Sequence, residues 1–302
     1  MTSVFKTLNN IQTNLLTWAN PFECNGSDVI VCITGNPGLP DFYTEFGSEL
    51  YKHTGFPICI IGQAGHREVP ETRSNVLKNQ EHLFNLEGQI AHKLDLINNY
   101  IDKKSRLHLV GHSIGAWLII EILQKHSNIY DRVSSVNLLF PTLQRLAKTQ
   151  QGKFLNKFIR NIHVILILLC YSVNILPQSV ILFLIQLYLK FNSLPLNYTE
   201  RILKFLNPKV VEKVLFLAYN EMDEVKDLNL LGMEKIKHMC NVIYSTKDNW
   251  APIEYIEDLK IFKPQLQLKE VDIDHAFVLK SSERVANMVC EYIYGKIWLK
   301  LT

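Results

Sequence analysis

The stretch Leu107-His108-Leu109-Val110-Gly111-His112-Ser113-Ile114-Gly115 decides how this chain is read. Leu107–Val110 is a short apolar run of strand type, and Ala116–Gln124 continues with helical spacing. Between them lies G-x-S-x-G, the pattern of a serine carried on a sharp strand-to-helix turn. That turn is strained, so the residues two positions either side of the serine must be small. Gly111 and Gly115 meet the demand. The positive end of the following helix then lies beneath the hydroxyl. G-x-S-x-G by itself occurs by chance in many proteins. The strand before it and the helix after it make this copy a nucleophile elbow, with Ser113 the expected nucleophile.

Outward from the elbow, short apolar runs alternate with longer helical patterns. The runs are Val29–Thr34, Pro57–Gly62, Leu107–Gly111, Val133–Phe140, Cys240–Ser245 and Leu266–Val271. Helical spacing is found over Phe42–Thr54, Leu83–Tyr100, Ile114–His126, Ile253–Phe262 and Ser281–Tyr294. Strand and helix in alternation predict a mostly parallel sheet with helices on both faces, which with the elbow is the α/β-hydrolase fold. Ahead of this, Phe5–Trp18 splits at Asn9-Asn10 into two β-branched-rich pieces, the form of an opening antiparallel hairpin. One domain over 1–302 is expected, interrupted after the sixth strand by a helical insertion over 143–237 where no strand candidate occurs.

A serine hydroxyl is a weak nucleophile without a base, and the base needs a carboxylate to orient it. In this fold the chain order is serine, acid, histidine. Cys240–Ser245 leads into Thr246-Lys247-Asp248, which makes Asp248 the expected acid. The last strand leads into Asp272-Ile273-Asp274-His275, which makes His275 the expected base. Asp272 and Asp274 compete for the role of acid, but they adjoin the base rather than end a separate strand. For the oxyanion hole, one donor is the backbone N–H of Ile114 and the second comes from the loop after an early strand. That loop reads Gly35-Asn36-Pro37-Gly38. Pro37 has no N–H, which leaves Asn36. His112 is read as a packing or loop-supporting residue. His108 and His112 on one strand do not have the spacing of a metal pair, so neither a metal nor a cofactor is expected.

Composition sets the limits. Of 302 residues, 47% are hydrophobic and 20% charged, enough apolar content for a large core. The net charge of +3 comes without a long basic run, so nucleic-acid binding is not expected. Six cysteines without a C-x-x-C pair read as free, buried thiols in a reducing compartment. The first twenty residues have no apolar h-region, so no signal peptide and a cytosolic fold are expected.

With these residues in place, the chain resembles the lipid droplet-associated hydrolases, a serine-hydrolase branch of the α/β-hydrolase fold. The resemblance is carried by Gly35-Asn36-Pro37-Gly38 with Phe42-Tyr43, by Ala64-Gly65-His66, and by Leu86-Glu87-Gly88-Gln89-Ile90 with His92-Lys93. It continues through the elbow, Leu138-Leu139-Phe140-Pro141-Thr142, Asp248-Asn249-Trp250 and His275-Ala276-Phe277. It implies a triad of Ser113, Asp248 and His275, residence on lipid droplets and the endoplasmic reticulum, and lipid esters, sterol esters among them, as substrates. Lys148 to Asn220 is the least similar part.

That part contains an unusual run. Asn161–Leu189 holds no Asp, Glu, Lys or Arg and is divided by Pro177. Each half is too short to span a bilayer. A span would also separate His275 from Ser113 and prevent the sheet from assembling. Arg145, Lys148, Lys153, Lys157 and Arg160 precede the run, and Lys190, Arg201 and Lys204 follow it. Basic residues on both sides suit a hairpin or paired interfacial helices seated in a monolayer from its cytosolic face. A buried cap helix over the pocket is the alternative. Two function classes follow: an esterase acting through Ser113 at a lipid surface, or a droplet-surface scaffold or lipid-binding protein with little turnover.

Overall fold

Asn9 and Asn10 turn the chain between β1 (Thr2–Leu8) and β2 (Ile11–Trp18), with φ of 45° and 63°. Asparagine tolerates this left-handed region, and two such residues in a row give the turn whose twist matches the flanking strands. The expected hairpin is present. β2 joins it to the sheet by pairing antiparallel with β4 (Ile58–Ile61). The other strands, β3 (Val29–Ile33), β5 (Leu107–His112), β6 (Val133–Leu139), β7 (Cys240–Tyr244) and β8 (Gln267–Glu270), run parallel to β4. The order across the eight-stranded sheet is β1-β2-β4-β3-β5-β6-β7-β8. Residues 1–67 and 75–301 are described by the structure, a computed structural model.

The central strands are buried along their whole length, as a sheet covered on both faces requires. Successive side chains go to opposite faces. Val31, Ile33, Leu109 and Leu138 pack with Leu118, Ile119 and Leu123 of α3 (Ile114–Lys125), on the face that α2 (Leu86–Asn99) also covers. Ile30, Cys32, Val110 and Leu139 pack on the other face, with Phe46 and Leu50 of α1 (Thr44–Thr54) and Val285 and Val289 of α12 (Ser282–Leu301). At the edge, β8 carries Gln, Lys and Glu, which discourages pairing with another chain. The last helix is longer than the spacing predicted. It passes through Gly295, where the surroundings are open, and ends at Leu301 rather than near Tyr294.

Between β6 and β7 the described elements are helical: α5 (Gln150–Lys157), α6 (His163–Ile175), α7 (Gln178–Phe191), α8 (Thr199–Phe205), α9 (Pro208–Glu224) and α10 (Leu230–Ile236). The short α4 (Ser127–Tyr130) precedes β6, and α11 (Ile253–Glu257) follows β7. Pro177 separates α6 from α7, because a proline disfavours helix in the residue before it and opens the next helix well. All six cysteines are free. Cys32, Cys59, Cys240 and Cys290 are buried as expected, but Cys24 and Cys170 are only partly so, the first in a surface loop and the second on α6.

Candidate active site

The parallel strands deliver their loops to one edge of the sheet, and the residues singled out above lie on those loops. Ser113 follows β5 with φ 54° and ψ −121°, a backbone conformation that side-chain-bearing residues seldom adopt. The two glycines have physical causes. A Cβ on Gly115 would stand 2.4 Å from the Ile33 carbonyl oxygen, and one on Gly111 would stand 2.7 Å from the Gly115 carbonyl oxygen. The Ser113 N–H donates to Leu139 O at 3.0 Å, which ties the turn to β6.

His275 comes from the loop after β8, and its Nε2 lies 3.0 Å from Ser113 Oγ. Its Nδ1 lies 2.7 Å from Asp248 Oδ2. The other carboxylate oxygen of Asp248 accepts the N–H groups of Trp250 at 2.8 Å and Ala251 at 3.1 Å. Burial pushes the Asp248 carboxyl up. The hydrogen bond and charge of His275 and the two backbone donors outweigh it, and hold its pKa below the ordinary aspartate value. Asp248 therefore stays ionised while nearly buried. The two competing acids are elsewhere: Asp272 pairs with Lys247 at 2.7 Å on the surface, and Asp274 is exposed.

A second chain of hydrogen bonds, not anticipated from sequence, links His275 to the loop after β3. His112 Nε2 is 3.0 Å from the His275 carbonyl oxygen, and His112 Nδ1 is 2.6 Å from Tyr43 Oη. A carbonyl only accepts, so Nε2 carries the proton. Burial, with the charge of His275 nearby, pushes the His112 pKa down to about 3, so the ring is neutral and Nδ1 accepts the Tyr43 hydroxyl proton. Tyr43 Oη in turn accepts the Gly35 N–H at 2.9 Å. His112 thus supports the His275 loop, the role its place in the elbow suggested. Tyr43 was visible in the sequence only as part of the Phe42-Tyr43 motif.

The loop from Gly35 lies against Ser113: a Cβ on Gly35 would sit 3.0 Å from the Ser113 Cβ. Ile114 is the first residue of α3, so its N–H has no partner within the helix. The Asn36 side chain is held away from Ser113, its Nδ2 donating to Glu221 Oε1 at 2.9 Å and to Val214 O at 3.2 Å. Burial raises the Glu221 pKa to about 8, partly opposed by the Asn36 hydrogen bond.

Above these groups is a cavity of about 740 Å³. His275, His112 and Asn36 line its floor, and Phe42, Ile181, Ile185, Leu189, Phe205 and Leu279 are among its walls. Three of those wall residues belong to α7, so a helix of the apolar run closes one side of the space above His275. On its outer side the same helix leaves Phe183, Leu187 and Phe191 exposed, and α6 buries none of its residues. Among the described residues no group of three or more His, Cys, Asp or Glu side chains is placed to hold a metal.

A model of the family described as lipid-droplet associated hydrolase matches residues 26–278. A lipid droplet-associated hydrolase of Drosophila melanogaster is 37% identical over 302 residues, covering 97% of this chain and 98% of the relative. Among solved structures, a membrane phospholipase A superposes with a TM-score of 0.66 at 15% identity, covering 98% of this chain and 86% of that one. A thermophilic esterase from Thermogutta terrifontis gives 0.63 at 16% identity, covering 98% and 99%. At these identities the two structures speak for the α/β-hydrolase fold and no further. The family match covers the elbow, both loops and most of the sheet, and on that ground the chain belongs to the lipid droplet-associated hydrolase family.

Proposed function

We propose that this protein is a serine esterase that cleaves lipid esters, sterol esters included, at the surface of a lipid droplet. The observation that carries the reading is the alignment Ser113–His275–Asp248, with His275 on the floor of an apolar cavity. Ser113 Oγ attacks the ester carbonyl carbon, and its proton passes to His275 Nε2. The resulting oxyanion is held by the N–H groups of Ile114 and Asn36. When the tetrahedral intermediate collapses, the bond to the alcohol oxygen breaks and His275 returns its proton to that oxygen. Water then loses a proton to His275, attacks the acyl carbonyl and releases the carboxylic acid, restoring Ser113. Asp248, ionised and buried, holds His275 in the tautomer with Nδ1 protonated and offsets the imidazolium charge.

The segment 143–237 serves in this reading as a cap over the site, and 161–189 as the part that meets lipid. Val164, Ile165, Leu168 and Ile175 on α6, with Phe183, Leu187 and Phe191 on α7, form an exposed apolar surface far larger than single scattered residues would. The stretch Gln150–Ile175 is also long and apolar enough to cross a membrane, but a crossing would part the strands of one sheet. Seating α6 and α7 in the monolayer from the cytosolic face, on droplets and on the endoplasmic reticulum, keeps the sheet whole and sets the cavity mouth at the lipid.

The reading is tested by hydrolysis of an emulsified long-chain ester. The native chain releases fatty acid and Ser113→Ala does not; equal rates for the two would sink it. Deleting 161–189 is expected to abolish droplet targeting, and unchanged targeting would refute the lipid-seating part alone.

A further inference from the structure

Lys93 is fully buried in α2, and nothing in the chemistry above uses it. A lysine is rarely buried without a partner. Here the partners are uncharged: Nζ donates to Gln63 Oε1 at 2.7 Å, to Gln89 Oε1 at 2.7 Å, and lies 3.3 Å from His92 Nδ1. The direction of each bond follows from groups with only one possible role. Thr13 Oγ1 gives its proton to Ile11 O, so it accepts from His92 Nε2 at 2.6 Å and leaves His92 Nδ1 as an acceptor. Gln89 Nε2 donates to Phe84 O, so Gln89 Oε1 is free to accept both Lys93 and the Ala64 N–H. Three acceptors face the three protons of an ammonium, although burial pulls the Lys93 pKa well below the ordinary lysine value.

Gln63 passes this anchor on. Its Nε2 donates to Thr34 O at 2.6 Å, and its backbone N–H donates to Gly38 O at 3.1 Å. The Gly38 N–H donates to His66 Nδ1 at 3.0 Å. Gln63 and His66 therefore grip the loop on both sides of Asn36. Gln63, His66, Gln89, His92 and Lys93 are all buried, and all but Gln63 belong to sequence motifs that the proposed chemistry leaves without a role.

We propose that Lys93 is a positioning residue for the oxyanion hole. It fixes Gln63, and through Gln63 the loop Thr34–Gly38 that presents the Asn36 N–H to the reacting carbonyl. The inference rests on the assignment of Ser113 as nucleophile and Asn36 as oxyanion donor. A loosened loop weakens the hold on developing charge and leaves ground-state binding in the apolar cavity alone, so the loss falls on kcat and not on KM.

The test compares the native full-length chain with Lys93→Met, Gln63→Glu and Ser113→Ala. It measures kcat and KM on a dissolved p-nitrophenyl ester, the rate of reaction with a fluorophosphonate, and the thermal melt. Gln63→Glu keeps a charge-paired anchor for Lys93 but has no proton for Thr34 O, so it decides the matter if Lys93→Met does not fold. The expected result is a fall of about 10²-fold in kcat and in fluorophosphonate reaction, the scale of one lost oxyanion donor, with KM within about threefold. A cooperatively melting Lys93→Met or Gln63→Glu with native kcat overturns the inference, and so does a loss confined to KM. Turnover surviving in Ser113→Ala overturns the nucleophile assignment instead, and the two failures are thereby told apart.

Discussion

Two apolar helices of nearly equal length meet opposite fates in this chain. Helix α3 runs for 12 residues from the elbow and buries eight of them, Leu118, Ile119 and Leu123 included. Helix α6 runs for 13 residues, is at least as rich in Ile, Leu and Val, and buries none. Hydropathy says only that a segment leaves water. What receives it is decided by the neighbours. Helix α3 follows a strand through a two-glycine turn and is laid directly on the sheet, so protein takes up its apolar surface. Helix α6 lies in a run without charge, bounded by basic residues and broken by Pro177, and its apolar surface stays exposed.

The comparison is sharpened most at the head of α3, where the proposed nucleophile sits. Ser113→Ala and Asp248→Asn are expected to lower kcat by about 10⁶-fold and about 10⁴-fold, the scales seen when the serine or the acid of a triad is removed. Steady-state kinetics on a soluble ester checks this, and a loss under tenfold in either variant would contradict the roles given. Next comes a matched pair of truncations. Leu118→Ala, in the core, is expected to cost about 2–5 kcal/mol in urea unfolding. Leu168→Ala, 59% exposed on α6, is expected to stay within about 0.5 kcal/mol. Equal costs would mean that α6 packs against protein after all.

Charging the outer surface of the insertion probes the same contrast from the other side. Leu168→Lys with Phe183→Lys is expected to reduce binding to oil-in-phospholipid emulsions by at least about tenfold, since each change removes a side chain worth roughly 1.5–3 kcal/mol of apolar transfer. Hydrolysis of a dissolved ester is expected to persist. Flotation of the emulsion with unchanged recovery of the variant would remove the lipid-seating role of α6 and α7.

The most gradual effect concerns acid. His112 is neutral in the folded protein down to about pH 3, whereas the unfolded chain takes up a proton near pH 6.5. Its contribution to stability is therefore present above pH 6.5 and lost as the pH falls toward 3, with a slope of up to about 1.4 kcal/mol per pH unit. His66, whose pKa burial likewise pushes down to about 3, adds to that slope. His112→Gln is expected to flatten the acid limb by up to one proton in a stability-versus-pH series. An unchanged limb would mean that His112 carries a proton in the native state.

The parts legible in the sequence are those whose physics is local. G-x-S-x-G between strand and helix gives Ser113 its place, Asn9-Asn10 gives the hairpin, and the ends of β7 and β8 point to Asp248 and His275, which stand 2.7 Å apart in space. Contacts between distant segments were not legible. Tyr43 and His112 are 69 residues apart, Lys93 and Gln63 are 30 apart, and each pair meets only because the fold brings distant segments together. The length of α12 was missed for a different reason: Gly295 is a weak helix former, but in open surroundings it does not stop a helix.

The central claim is that Ser113 is the nucleophile. Its most direct test is the mass of the protein after treatment with a fluorophosphonate, followed by peptide mapping of the adduct. A single adduct on Ser113, absent from Ser113→Ala and slow to form in Asp248→Asn, is the predicted result. No adduct on the native protein, or one carried by a different residue, would contradict it.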